Sequence, residues 1–173
     1  MELSELKDLL SEKRPSDWDD IPDIDLYMDQ VIGYMQRQHM GFDVNENLTP
    51  AMVNNYVKQE VMPKANGKKY SREHIAYLTA IVLLKQVISV GETGTLLETQ
   101  LENSGIEEFY EKYISCLDKE AISVNEMICE QMTKEEMSEL ALDLAVSAYA
   151  RKLACECILD MLDESTDEKK KKK

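Results

Sequence analysis

A chain of 173 residues with 43% hydrophobic content can bury a core of its own, as one domain or as a small domain with a helical extension. No apolar run reaches the roughly 18 residues of a membrane span, the longest being Ile75 to Leu84, and the polar, amphipathic start reads against a secretory signal. Four Cys without export features predict reduced thiols in a cytoplasmic protein, and two Phe, one Trp, six Gly and four Pro predict helices around an aliphatic, Met and Tyr core.

In chain order, Glu2 to Lys13 is a short amphipathic segment with Leu3, Leu6, Leu9 and Leu10 at helical spacing. Arg14 to Pro22 breaks it with two prolines and an acidic cluster around Trp18. Asp23 is the predicted N-cap of a helix whose apolar face is Ile24, Tyr27, Met28, Val31, Tyr34 and Met35, ending near Met40 before Gly41. After a loop from Phe42 to Asn47, Thr49 caps a short helix with Pro50 at its first position and Met52, Val53, Tyr56 and Val57 inward. Pro63 closes that segment, and Asn66-Gly67 predicts a type I′ hairpin turn between Pro63 and Tyr70.

Ser71 then caps a central helix that is apolar almost all round. Ser89 with Glu92, Ser104 with Glu107, and Thr133 with Glu136 predict capping boxes for three further helices. The second carries Phe109, Tyr110, Tyr113, Ile114 and Leu117 and either runs on to Met132 or restarts at Ser123. The third runs from Lys134 to about Asp163 with two apolar faces, one through Leu140, Leu144 and Leu159, the other through Leu142, Val146, Tyr149 and Leu153. Two faces on one helix predict a subunit interface and hence a homodimer. Glu164 to Lys173 is charged, low in complexity and expected to be disordered.

The net charge of −14 is unevenly spread. Between Pro50 and Val90 six basic residues (Lys58, Lys64, Lys68, Lys69, Arg72, Lys85) face two acidic ones, a local +4 that leaves −18 on the rest.

A capped helix, a tight basic hairpin and a buried helix in that order resemble the winged helix-turn-helix of MerR-type regulators. The residues that carry the resemblance are Leu48-Thr49-Pro50, Val53-Asn54-Asn55-Tyr56, Val61-Met62-Pro63 and Lys68-Lys69-Tyr70-Ser71-Arg72-Glu73. Asn54 departs from it, standing where the family usually has Arg, and the Phe42 to Asn47 loop is extra. A wider resemblance, Trp18 through Gln86 and including Ile21-Pro22-Asp23-Ile24-Asp25-Leu26-Tyr27-Met28-Asp29-Gln30-Val31, is to a bacterial family known as domain of unknown function 1836.

The resemblance implies an all-α fold: a MerR-like winged helix-turn-helix with a small two-stranded wing (23–103), an N-terminal arm (1–22), a C-terminal helical module (104–163) and the tail (164–173). It implies a transcription regulator of double-stranded DNA. Asn54, Asn55 and Lys58 would reach base edges; Lys64, Lys68, Lys69, Arg72, Tyr56 and Tyr70 would hold phosphates. A protein-interaction module that kept the scaffold but lost DNA is the alternative, and Tyr110, Tyr113 and Tyr149 could line an effector pocket.

Other signals are weak. Cys155 and Cys157, two apart on a helix, point about 200° from each other, so they and Cys116 and Cys129 are expected as core thiols, with no metal. Asp17 to Asp29 lacks the Gly and terminal Glu of a calcium loop, and neither His39 nor His74 lies beside a nucleophile motif. No catalytic constellation or cofactor is expected.

Overall fold

The computed structural model describes residues 1–12, 14–38 and 48–171. They are mostly helical: α1 (Leu3–Glu12), a 3₁₀ turn (Trp18–Asp20), α2 (Met28–Arg37), α3 (Pro50–Lys58), α4 (Arg72–Leu84), α5 (Val90–Leu101), α6 (Ile106–Met127) and α7 (Lys134–Lys171). One antiparallel sheet of two short strands, β1 (Leu26–Tyr27) and β2 (Lys69–Tyr70), completes the fold. Among the described residues no helix is long and apolar enough to cross a membrane.

The chain forms two compact units, Lys13–Lys119 and a second made of Met1–Glu12 with Glu120–Lys173, the division lying within α6. The larger unit is built round α4. Its residues Ile75, Ala76, Leu78, Ala80 and Ile81 are inaccessible to solvent because the helix is apolar on every side. Val31 and Met35 of α2, Val53 and Tyr56 of α3, Leu97 of α5 and Phe109, Tyr110, Tyr113 and Ile114 of α6 complete the same core. Each such aliphatic side chain contributes about 1.5–3 kcal/mol when fully buried. Burial pushes the Tyr110 and Tyr113 phenols well above the usual range, with a smaller contribution from a neighbouring tyrosine in each case.

The segment before β1 is fastened by polar contacts. The Ser16 N–H donates to Gln38 Oε1 (2.8 Å), the Gln38 amide donates back to the Ser16 hydroxyl (3.0 Å), and the Tyr110 hydroxyl donates to the Ser16 carbonyl (2.8 Å). Arg14 binds Asp17 through both guanidinium NH groups (2.8 and 3.1 Å) and Asp118 through Nε (3.2 Å). In the smaller unit, the Asn125 amide donates to the Lys7 carbonyl (3.1 Å) and the Ser11 hydroxyl (2.7 Å) of α1, and Arg151 of α7 pairs with Glu120 of α6.

Several elements differ from the sequence reading. Helix α2 starts at Met28 with Tyr27, not Asp23, at its N-cap: Leu26 and Tyr27 are drawn into the sheet, Ile24 is exposed, and the Gln30 side chain accepts the Tyr27 N–H (2.9 Å). The predicted end of that helix near Met40 and the Phe42 to Asn47 loop lie outside the described residues. Ser104 does not cap α6; its hydroxyl donates back to the Gln100 carbonyl (2.7 Å). Helix α6 runs unbroken through Ser123 to Met127. The boxes at Ser89–Glu92 and Thr133–Glu136 form with both reciprocal bonds.

Helix α7 continues through the charged stretch expected to be disordered, as far as Lys171. Lys and Glu are strong helix formers, and lysines at a C-terminus complement the helix dipole. The cysteines are not core thiols: Cys116, Cys129 and Cys157 are exposed and Cys155 is half-buried.

Candidate nucleic-acid interface

Helix α3 is defined at both ends by its own residues. The Thr49 hydroxyl accepts the Met52 N–H (3.3 Å), and Pro50 sits at the first helical position. At the other end Glu60 takes a left-handed conformation (φ 60°). The Glu60 N–H donates to the Val57 carbonyl (3.2 Å) and the Val61 N–H to the Tyr56 carbonyl (3.0 Å), the paired bonds of a Schellman cap. Val61 and Tyr56, both buried, supply its apolar contact. Glycine is the usual residue at that position, which is why the cap was missed in the sequence.

This short helix buries Val53 and Tyr56 and leaves Asn54, Asn55 and Lys58 exposed. The Asn55 side-chain oxygen accepts only a long bond from the Gln59 amide (3.4 Å). All three residues expected to read bases therefore share the outer side of α3.

The turn that follows closes with two bonds between Asn66 and Lys69 (3.0 and 3.2 Å), so its central residues are Gly67 and Lys68. Positive φ occurs at Gly67 (65°) but not at Asn66 or Lys68, the sign pattern of a type II′ turn with Gly first rather than the expected type I′. The sheet also differs. Lys69 and Tyr70 pair with Tyr27 and Leu26, residues more than forty positions away, so the wing's named strand is held by β1. Lys64, Lys68 and Lys69 are exposed, and the Lys69 ammonium lies 5.6 Å from the centre of the Tyr27 ring.

The base of the turn is pinned to α4 by a residue the sequence reading set aside. His74 Nδ1 accepts from the Ser71 N–H at 3.1 Å and lies 2.9 Å from the Ser71 hydroxyl. Its Nε2 is 3.1 Å from the Lys64 carbonyl, so the tautomer that satisfies both sides carries its proton on Nε2. His74 thus fills the reciprocal position of a capping box, three residues after the cap, where Glu is the familiar signal.

Three expected phosphate contacts sit elsewhere. Tyr56 and Tyr70 are 3% and 6% exposed and belong to the core, Tyr70 meeting His74 edge to face at 5.5 Å. Arg72 is half-buried: its guanidinium lies 5.6 Å from the centre of the Trp18 ring and 3.8 Å from Asp23. Asp19, Asp25, Glu73 and Glu107 line the same shallow depression. Arg72 thus joins the acidic segment before β1 to the start of α4. As for an effector pocket, Tyr110 and Tyr113 pack in the core of the larger unit, and Tyr149 is exposed on α7.

The fold and its exposed basic turn define a helical protein carrying one short antiparallel sheet. Residues 16–113, more than half of the chain, match the family described as Domain of unknown function (DUF1836), and the chain belongs to that family. No curated protein and no solved structure matches it.

Proposed function

We propose that the larger unit is a winged helix-turn-helix that binds double-stranded DNA, as the DNA-reading part of a transcription regulator. The observation that carries this reading is the exposed series Asn54, Asn55 and Lys58 on α3 followed by Lys64, Lys68 and Lys69 on the turn, each set backed by buried residues of one core. A helix laid in the major groove offers its outward side chains to base edges, where Asn makes a bidentate pair with adenine. Lys64, Lys68 and Lys69 neutralise phosphates and position the helix. Tyr56, Tyr70 and Arg72 have structural roles in this scheme.

The test is selection of genomic fragments by the purified protein at low salt, in parallel with the Lys68→Ala/Lys69→Ala variant. Enrichment of a common sequence by the native chain, lost in the variant and weakened steeply by salt, is the expected result. A folded protein that enriches nothing refutes it.

A second reading, a protein-interaction module on the same scaffold, is favoured by the engagement of Arg72 with Asp23 and by the carboxylates around it. That acidic depression beside Trp18 suits a basic peptide. Binding of such a peptide, abolished by Asp23→Asn/Asp25→Asn, with no DNA enriched, would select this second reading.

A further inference from the structure

Among the described residues, the outer side of α7 carries a row of exposed apolar side chains. Leu142, Val146, Tyr149 and Leu153 are 64%, 58%, 68% and 47% exposed. At 100° per residue they fall within about 60° of one another on the helix, and the inward-facing Leu140 and Leu144 lie roughly opposite. No charged side chain interrupts the stripe. Lys152, the basic residue beside it, pairs with Glu156 (3.7 Å), and Arg151, on the opposite side of the helix, pairs with Glu120.

We infer that a second copy of this chain covers the stripe, its α7 running antiparallel to the first. The occupant follows from the spacing. Steps of four, three and four residues read the same in both directions, so a two-fold axis beside the Ser147–Ala148 peptide sets Leu142 against the partner's Leu153 and Val146 against the partner's Tyr149. The flanking positions nearest the axis are Ala145 and Ala150, small enough for the helix backbones to approach closely. Four side chains of these types at these exposures present roughly 500 Å² per copy, against about 800 Å² per partner in a standard interface. An area of that size suits a reversible association rather than a permanent dimer.

Sedimentation of the full chain without DNA, across concentrations from below to well above micromolar, tests the inference separately from the DNA-binding reading. A reversible monomer–dimer equilibrium is expected. Leu142→Lys and Leu153→Glu each weaken it by at least about tenfold, since each sets a charge against a leucine. The double variant Leu142→Lys/Leu153→Glu recovers most of the loss, because antiparallel pairing places each lysine opposite a glutamate. The same two residues are eleven positions apart in one helix and cannot pair within a chain. Leu142→Ala/Leu153→Ala keeps the helix propensity and must also weaken association, which guards against a folding artefact. A chain that stays monomeric throughout, or a dimer indifferent to these variants, overturns the inference. A double variant weaker than either single one overturns the antiparallel arrangement.

Discussion

Glu60 offers a direct test of how α3 and the basic turn are joined. A left-handed conformation costs a residue with a side chain about 1–2 kcal/mol, and Glu60 adopts it at the last step of a Schellman cap. A negative side chain one residue beyond a helix C-terminus also opposes the dipole, by roughly 0.3 kcal/mol when exposed. Glu60→Gly removes both penalties but adds about 0.5–1 kcal/mol of chain entropy to the unfolded state. The balance is a gain on the order of 1 kcal/mol, equivalent to about 2–4 °C in Tm for a chain of this size.

Urea unfolding of native, Glu60→Gly, Glu60→Asn and Glu60→Val proteins measures it. The midpoint should rise most for Gly, less for Asn and fall for Val, with the slope m unchanged, because the surface exposed on unfolding hardly changes. If Gly lowers the midpoint, or Val leaves it where Glu does, the cap does not carry the strain assigned to it. The substitution also deletes one of the two acidic residues in the basic island. Under the DNA-binding reading Glu60→Gly should tighten DNA binding while it stabilises the fold.

Two further outcomes follow from local geometry. A methyl group added at Gly33, inside α2, would meet only the Arg37 guanidinium tip at 3.8 Å, so Gly33→Ala should stabilise by up to about 1 kcal/mol in the same urea assay. The hydrogen bonds from Arg14 hold the Asp17 carboxyl below the usual carboxylate range. Its contribution is therefore present above the unfolded value near pH 4 and lost as pH falls through the lower folded value; because the pair is largely exposed, it is worth less than about 1 kcal/mol. Asp17→Asn should be less stable than the native chain at pH 7, and the two Tm curves should converge as pH drops below 4.

What the sequence revealed is local. Thr49-Pro50 and Ser89 with Glu92 set helix starts through bonds spanning three residues, and the apolar stretch from Ile75 to Leu84 announced its own burial. The features missed depend on distant partners or unusual residues. Tyr27 fits the helical period of the residues after it, yet Lys69 and Tyr70 capture it and its neighbour Leu26 into a sheet. Arg72 reads as a phosphate contact until Trp18 and Asp23, about fifty residues earlier, are seen beside it. His74 completes a cap normally completed by a carboxylate, and Glu60 occupies a position normally held by glycine. Tyr56 and Tyr70 illustrate a different difficulty: a tyrosine at helical or strand spacing suits the core and a phosphate equally well, and only accessibility separates the two.

Under the DNA-binding reading, the placement of Arg72 has a measurable consequence. Counted from sequence alone, Lys64, Lys68, Lys69 and Arg72 give four phosphate-neutralising groups, for which log K falls against log salt with a slope of about −3.6. With Arg72 held against Trp18 and Asp23, three lysines remain and the slope becomes about −2.7 per copy, or about −5.4 when two copies bind together. Removing Lys68 and Lys69 should flatten it by nearly two units per copy, whereas Arg72→Gln should lower stability through the lost cation–π and ionic contacts and leave the slope where it was. Titration of fluorescent DNA duplexes over a series of salt concentrations separates these outcomes. A slope that changes as much for Arg72→Gln as for a lysine variant would place Arg72 on the duplex and show that its contact with Asp23 is broken on binding.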